Sequence, residues 1–156
     1  MVEREHLVLG GGNQKCTTLC PVLDQWLRGG VPTRSITELA GEAGAAKTQL
    51  CLQLLLAAQL PPSAGGLGGA AVYIHTEGGA PMKRLKQIIA SHAAVTPNLP
   101  PGHDPLDYVY LVKTLDDADG LWNALASCAA VLKDPPAGAD RPVRRGLTFN
   151  FTSAQL

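Results

Sequence analysis

The chain has 156 residues, about one domain, and its 46% hydrophobic content is that of a globular protein. Thirteen basic and thirteen acidic residues cancel, so the whole-molecule field gives no argument for nucleic acid or a membrane surface. The longest apolar run, Leu50 to Leu60, is interrupted by Gln53 and Gln59 and falls short of the ~20 residues of a membrane span. The start, MVEREHLVLGGG, is charged and has too little apolar length for a signal peptide. The expectation is a soluble protein with no membrane partner.

Residues 1–19 read as an N-terminal lead-in. Cys20 to Leu27, CPVLDQWL, then reads as a short helix stopped by Gly29 and Gly30. Ser35 to Ala40, SITELA, is β-capable and feeds a glycine-containing turn. Ala46 to Gln59 is rich in Leu, Ala and Gln and free of proline, which predicts a helix. It is apolar nearly all round, which predicts that it is buried.

After the loop Pro61 to Gly69, the run AAVYIHT from Ala70 to Thr76 has the unbroken apolar character of a parallel strand covered on both faces. Pro81 suits the first position of a helix in which Met82, Leu85, Ile88 and Ile89 share one side, and Lys83, Arg84 and Lys86 point elsewhere. Tyr108 to Leu115 reads as another strand. Asp116, Asp117 and Asp119 suit the positive end of a following helix, whose stripe is Leu121, Leu125, Cys128, Ala129 and Leu132. Strands alternating with helices predict an α/β fold with a parallel sheet. Residues 20–133 form this core, and residues 134–156 read as a linker and a tail that is weakly strand-like from Gly146.

The four cysteines, Cys16, Cys20, Cys51 and Cys128, include no C-x-x-C pair and no second pair to complete a zinc site. Cys51 and Cys128 read as buried thiols, and reduced cysteines fit an intracellular protein. Trp26 and Trp122 read as core residues before they read as stacking platforms.

The stretch GEAGAAKTQL carries the chemistry. A phosphate-binding loop has the form G-x-x-x-x-G-K-[ST], and Gly41, Lys47 and Thr48 stand at the matching offsets. Such a loop needs inward-facing backbone amides, a helix N-terminus behind them and a lysine for the terminal phosphates. Gly41, Glu42, Ala43, Gly44, Ala45, Ala46, Lys47 and Thr48 would then enclose the nucleotide, with the Thr48 hydroxyl as a ligand to Mg²⁺. The alternative is a plain strand-to-helix connection with Lys47 solvated. Ala46 stands where the second glycine belongs. Its methyl removes easy access to positive φ, and misplacement would cost on the order of a tenfold loss in affinity.

Glu77 follows the second predicted strand, at the edge where open α/β sheets bind ligands. A carboxylate there can orient a water attacking a γ-phosphate; a solvated loop acid is the alternative.

The ordered words SITELAGEAGAAKTQL and GGAAVYIHTEGGAPMKRLKQIIA, with the lead-in TTLCPVLDQWLRGGVP, resemble the ATPase core of the RecA-like eukaryotic recombinases. CPVLD, ITELAG and the P-x-K-R-L-x-Q of Pro81 to Gln87 are most similar to the X-ray-repair cross-complementing paralogue branch. The resemblance implies a P-loop NTPase core with a parallel sheet flanked by helices, incomplete at its C-terminus. It implies ATP and Mg²⁺ as cofactors, with Lys47 and Glu77 as catalytic residues. It further implies homologous-recombination repair of DNA breaks in the nucleus, with the cytoplasm as a second compartment. The implied partners are another recombinase paralogue and, in a full-length member, DNA.

Three positions depart from that family. Ala46 replaces a glycine, Ala80 stands where phenylalanine is usual, and GLTFNFTSAQL stands where an apolar strand ending in a metal-holding aspartate belongs. The DNA-contacting loops that follow that strand have no counterpart. The resemblance therefore implies nucleotide binding with weak or absent hydrolysis. The alternative is a non-catalytic fragment that docks on a paralogue partner.

Overall fold

The computed structural model describes residues 14–76, 78–92, 96–114, 118–133 and 147–151. The lead-in forms a two-residue antiparallel ladder in which β1 (Lys15–Cys16) pairs with β2 (Val31–Pro32), and α1 (Pro21–Trp26) bridges them. Pro21 opens α1, where its missing N–H is no loss. The chain leaves α1 through Gly29 and Gly30, at φ 111° and 110°. Gly30 is fixed by space as well as conformation: a Cβ there would lie 2.2 Å from the Cys16 carbonyl oxygen. The Lys15 ammonium donates to the carbonyls of Leu27 and Arg28 at 2.7 and 2.9 Å, a cation at the negative end of the helix.

α2 (Lys47–Ala57) is the central helix, with Cys51, Leu52, Leu54, Leu55, Leu56 and Ala57 all buried. This agrees with its all-round apolar sequence. β3 (Ala71–His75) is buried along its whole length and pairs in parallel with β4 (Val109–Lys113) on one side and β5 (Leu147–Phe151) on the other. The sheet order is β4–β3–β5.

The alternation of β3 decides the layers. Ala71 and Tyr73 pack with α2 and with Leu85 and Ile88 of α3 (Met82–Ser91). Val72 and Ile74 face the other way, against Ala124 and Cys128 of α4 (Ala118–Lys133). Helices therefore cover both faces of a parallel sheet, as the sequence predicts.

Three expectations need correction. Ser35 to Ala40 is not a strand; it is exposed throughout, and Ile36 is 100% accessible. A strand needs a neighbour to satisfy its backbone groups, and the described sheet places none beside this segment. Conversely, part of the weakly strand-like tail supplies β5, which makes β3 a central strand. Trp26 and Trp122 are not core residues but lie 77% and 72% exposed. Cys16, Cys51 and Cys128 are buried free thiols, as expected for the last two. Asp116 and Asp117 lie outside the described residues.

Candidate nucleotide-binding loop

Gly41 to Ala46 connects the exposed segment to α2 through a turn closed by the Ala45 amide donating to the Glu42 carbonyl at 3.1 Å. Gly44 sits at φ 82°, and a Cβ there would meet no atom within 4 Å, so conformation rather than space favours glycine. Ala46 is the N-cap of α2 and lies in the left-handed region at φ 61°, ψ 17°. The position that ordinarily carries glycine keeps glycine's geometry, and its Cβ is forced to accept it. An L-residue pays roughly 1–2 kcal/mol for this conformation.

Lys47, the first residue of α2, turns its ammonium back along the loop. Nζ donates to the carbonyl oxygens of Gly41 at 2.6 Å and Glu42 at 2.9 Å, so the lysine spans the loop from end to end. Its first-turn neighbour Thr48 is exposed. No side chain caps the N-terminus of α2, and its first turn contains no acid. The leading amides of α2 are consequently the positive end of an uncapped helix, suited to an anion.

Of the residues expected at the site, Gly41 to Thr48 are gathered in one loop around Lys47. The expected strand leading into it is absent. Glu77 lies outside the described residues; His75, two positions earlier, ends β3, and Gly78 beyond it has φ 54°. α3 then returns to the loop: Arg84 Nε donates to Gln49 Oε1, in the first turn of α2, at 2.6 Å. The sequence did not single out Arg84, because only the packing of α3 on α2 brings its guanidinium beside this turn. Four residues between Lys83 and Gln87 that are polar or charged gave the available signal.

Behind the loop, α2 is tied to the lead-in by a hydrogen-bond network around Asp24. Asp24 accepts from the Thr18 amide and hydroxyl, both at 2.7 Å, and from the Thr17 hydroxyl. Gln53 of α2 donates to the Thr18 carbonyl at 2.7 Å. Burial pushes the Asp24 carboxyl up, but the hydrogen bonds from Thr17 and Thr18 outweigh it and leave it below the usual carboxylate value.

The fit to ligands follows from the donors present. The loop offers amides, a helix N-terminus and an ammonium, which together suit a polyphosphate. For Mg²⁺ it offers the Thr48 hydroxyl, and among the described residues no group of three His, Cys, Asp or Glu stands together. Magnesium keeps several waters and takes its remaining ligands largely from substrate phosphates, so a single hydroxyl is compatible with it.

A parallel sheet covered by helices on both faces, with a lysine-clasped loop opening the central helix, defines a RecA-like P-loop core. The Rad51 family profile matches residues 13–109, more than half of the chain, and the chain belongs to that family. It is 54% identical over 91 residues to the DNA repair protein XRCC3 of Bos taurus, covering 58% of this chain and 26% of that protein. It is 41% identical over 115 residues to the DNA repair protein XRCC3 homolog of Arabidopsis thaliana, covering 72% of this chain and 38% of that protein. Against the DNA repair protein RAD57 of Saccharomyces cerevisiae the identity is 42% over 92 residues. These matches place the chain on the XRCC3 branch, and it spans well under half the length of each of these relatives.

Proposed function

We propose that this chain is the ATP-binding part of a recombinase paralogue that acts in homologous-recombination repair of DNA breaks in the nucleus. The observation that carries the reading is the Lys47 ammonium clasped on the Gly41 and Glu42 carbonyls at the uncapped start of α2. ATP would lay its phosphates on the amides of Gly41 to Thr48, with Lys47 at the terminal phosphates and Thr48 beside Mg²⁺. Bound ATP supplies the γ-phosphoryl group. Glu77, two residues beyond β3, would orient the attacking water as general base.

The residues present support holding the nucleotide better than turning it over. β5 occupies the place beside β3, and its sequence LTFNF contains no carboxylate. Direct titration with a fluorescent ATP analogue tests the reading. Lys47→Ala should weaken binding at least 100-fold, and equal affinity for both proteins would overturn it.

A second reading, a non-catalytic fragment that docks on another recombinase paralogue, is favoured by one observation. Val22, Leu23, Trp26 and Leu27 expose large apolar side chains on and beside α1. Co-purification with a paralogue in nucleotide-free buffer, lost on Trp26→Ser, would support it.

A further inference from the structure

α1 is a six-residue helix that buries none of its residues. A helix this short does not form on propensity alone and depends on the packing of an apolar face. Val22, Leu23, Trp26 and Leu27, on and beside it, are nevertheless all exposed. At about 100° per residue the four fall within one arc of roughly 140°, a single stripe. Asp24 lies outside that arc, and the hydrogen bonds it accepts from Thr17 and Thr18 fix the rotation that turns the stripe outward.

The course of the chain just before β1 selects what covers this stripe. The Lys15 ammonium rests on the Leu27 and Arg28 carbonyls, so the backbone enters the fold within one lysine side chain of the stripe's end. Thirteen residues precede Gln14, and they lie outside the described residues. They include an apolar trio, Leu7, Val8 and Leu9, joined to Gln14 by Gly10, Gly11, Gly12 and Asn13. Glycine permits the backbone to reverse direction there. At ~3.3 Å per residue Leu9 can reach about 16 Å from Gln14, and Leu7 about 23 Å. α1 is only about 9 Å long, so the whole stripe is within range.

We propose that Leu7 to Leu9 fold back in cis onto the stripe of Val22, Leu23, Trp26 and Leu27 and act as its built-in cover. Three aliphatic side chains supply the apolar area that α1 lacks. A tether this short holds them at roughly millimolar effective concentration, well above that of a free partner. A second copy of the chain would have to displace the segment before its own stripe could meet this one. A protein partner docking on Trp26 must do the same, so the surface is self-occluded until the segment is displaced. The cover stands whether or not such a partner exists.

Acrylamide quenching of Trp26 in the full chain tests this, with Trp122→Phe removing the other indole. Trp122 is exposed, so that exchange leaves the core intact. Trp26 should be shielded from the quencher and emit at shorter wavelength than a free indole. Adding Leu7→Ser with Leu9→Ser should lower the covered population at least ~10-fold and bring both readings to those of a free indole, with helix content unchanged. A synthetic peptide of residues 2–12, at about millimolar concentration, should restore the shielding of this variant. An indole already fully open to quencher before the leucines are changed, or equally shielded after, would overturn the proposal. Shielding that fades on dilution would also overturn it, because a second copy would then be the cover.

Discussion

The ammonium of Lys47 reaches back six residues to the carbonyl oxygen of Gly41, 2.6 Å away, and so closes the loop that it follows. Both carbonyls that it holds lie on exposed residues, where water can replace a lost donor. Lys47→Met should therefore shift the urea midpoint by no more than about 1 kcal/mol equivalent while removing analogue binding. A variant that instead unfolds several kcal/mol early would show that the clasp is structural.

Ala46 sits at φ 61° without the freedom of glycine. Ala46→Gly releases this strain but increases the entropy of the unfolded chain, and the two terms, each about 1 kcal/mol, largely cancel in stability. Binding should respond more clearly. With the methyl removed, the amides can approach phosphate, and affinity should rise up to about tenfold. Isothermal titration with a non-hydrolysable analogue measures it, and an unchanged or weaker constant would show that the loop already holds its ligand well.

The sequence carried the elements whose surroundings are local. α2 was legible because leucine and alanine on every side of a helix leave it nowhere but the interior, and β3 because a nearly unbroken apolar run suits a strand covered twice, which its burial along the whole length bears out. The register of Lys47 and Thr48 in the loop was legible for the same reason: motif spacing is a local property. Ser35 to Ala40 was misread because β-capability describes side chains, whereas a strand is made by a neighbour. β5 was underrated for the converse reason, since its partner β3 lies more than seventy positions earlier. The exposure of Trp26 and Trp122 depends on which helix faces meet the core, and the neighbours of Arg84 depend on the approach of α3 to α2.

Asp24 makes the acid stability of the lead-in predictable. Its carboxyl titrates below the ordinary 3.8 in the folded chain, so folding favours the charged form. The contribution is present in full above the unfolded value and is lost as pH falls below 3.8 through the folded one. Asp24→Ala removes the acceptor of the Thr18 amide and hydroxyl, on a residue with no accessible surface, and should cost about 1–3 kcal/mol at pH 7. Chemical unfolding should show the gap between parent and variant narrowing at pH 3. A gap that widens there would contradict the sign.

At the far end of α2, Gln59 is buried, and its amide nitrogen donates to the carbonyls of Leu55 and Pro105 at 3.1 and 3.0 Å. Both of its N–H groups are thereby used, so Oε1 can only accept, and His103 Nε2, 2.9 Å away, must carry the proton. His103 stacks on Tyr108 immediately before β4, with ring centroids 3.9 Å apart. Gln59→Leu strands the buried Pro105 carbonyl and should cost about 1–3 kcal/mol. A double-mutant cycle with His103→Ala should give a coupling of at least about 0.5 kcal/mol, and additivity would mean that the contact does not hold the segment.

The thiols provide a test of the packing that needs no ligand. Burial, with the Asp24 charge adding to it, pushes Cys16 up to about 12. Burial alone does the same for Cys51, also to about 12, and raises Cys128. Thiolate is the attacking species, so all three should be nearly inert at pH 8 while the chain is folded. Cys20, at the start of α1, is half-buried and accessible to reagent. A disulfide reagent should therefore consume one thiol quickly and the other three at the rate of unfolding, with all four reacting in strong denaturant. Because Cys16 and Cys51 sit on opposite sides of the Gln53–Thr18 contact, simultaneous fast release of both would show that the lead-in does not pack on α2. Slow release of both at one common rate is the expected result, since a thiol can react only when the element covering it opens.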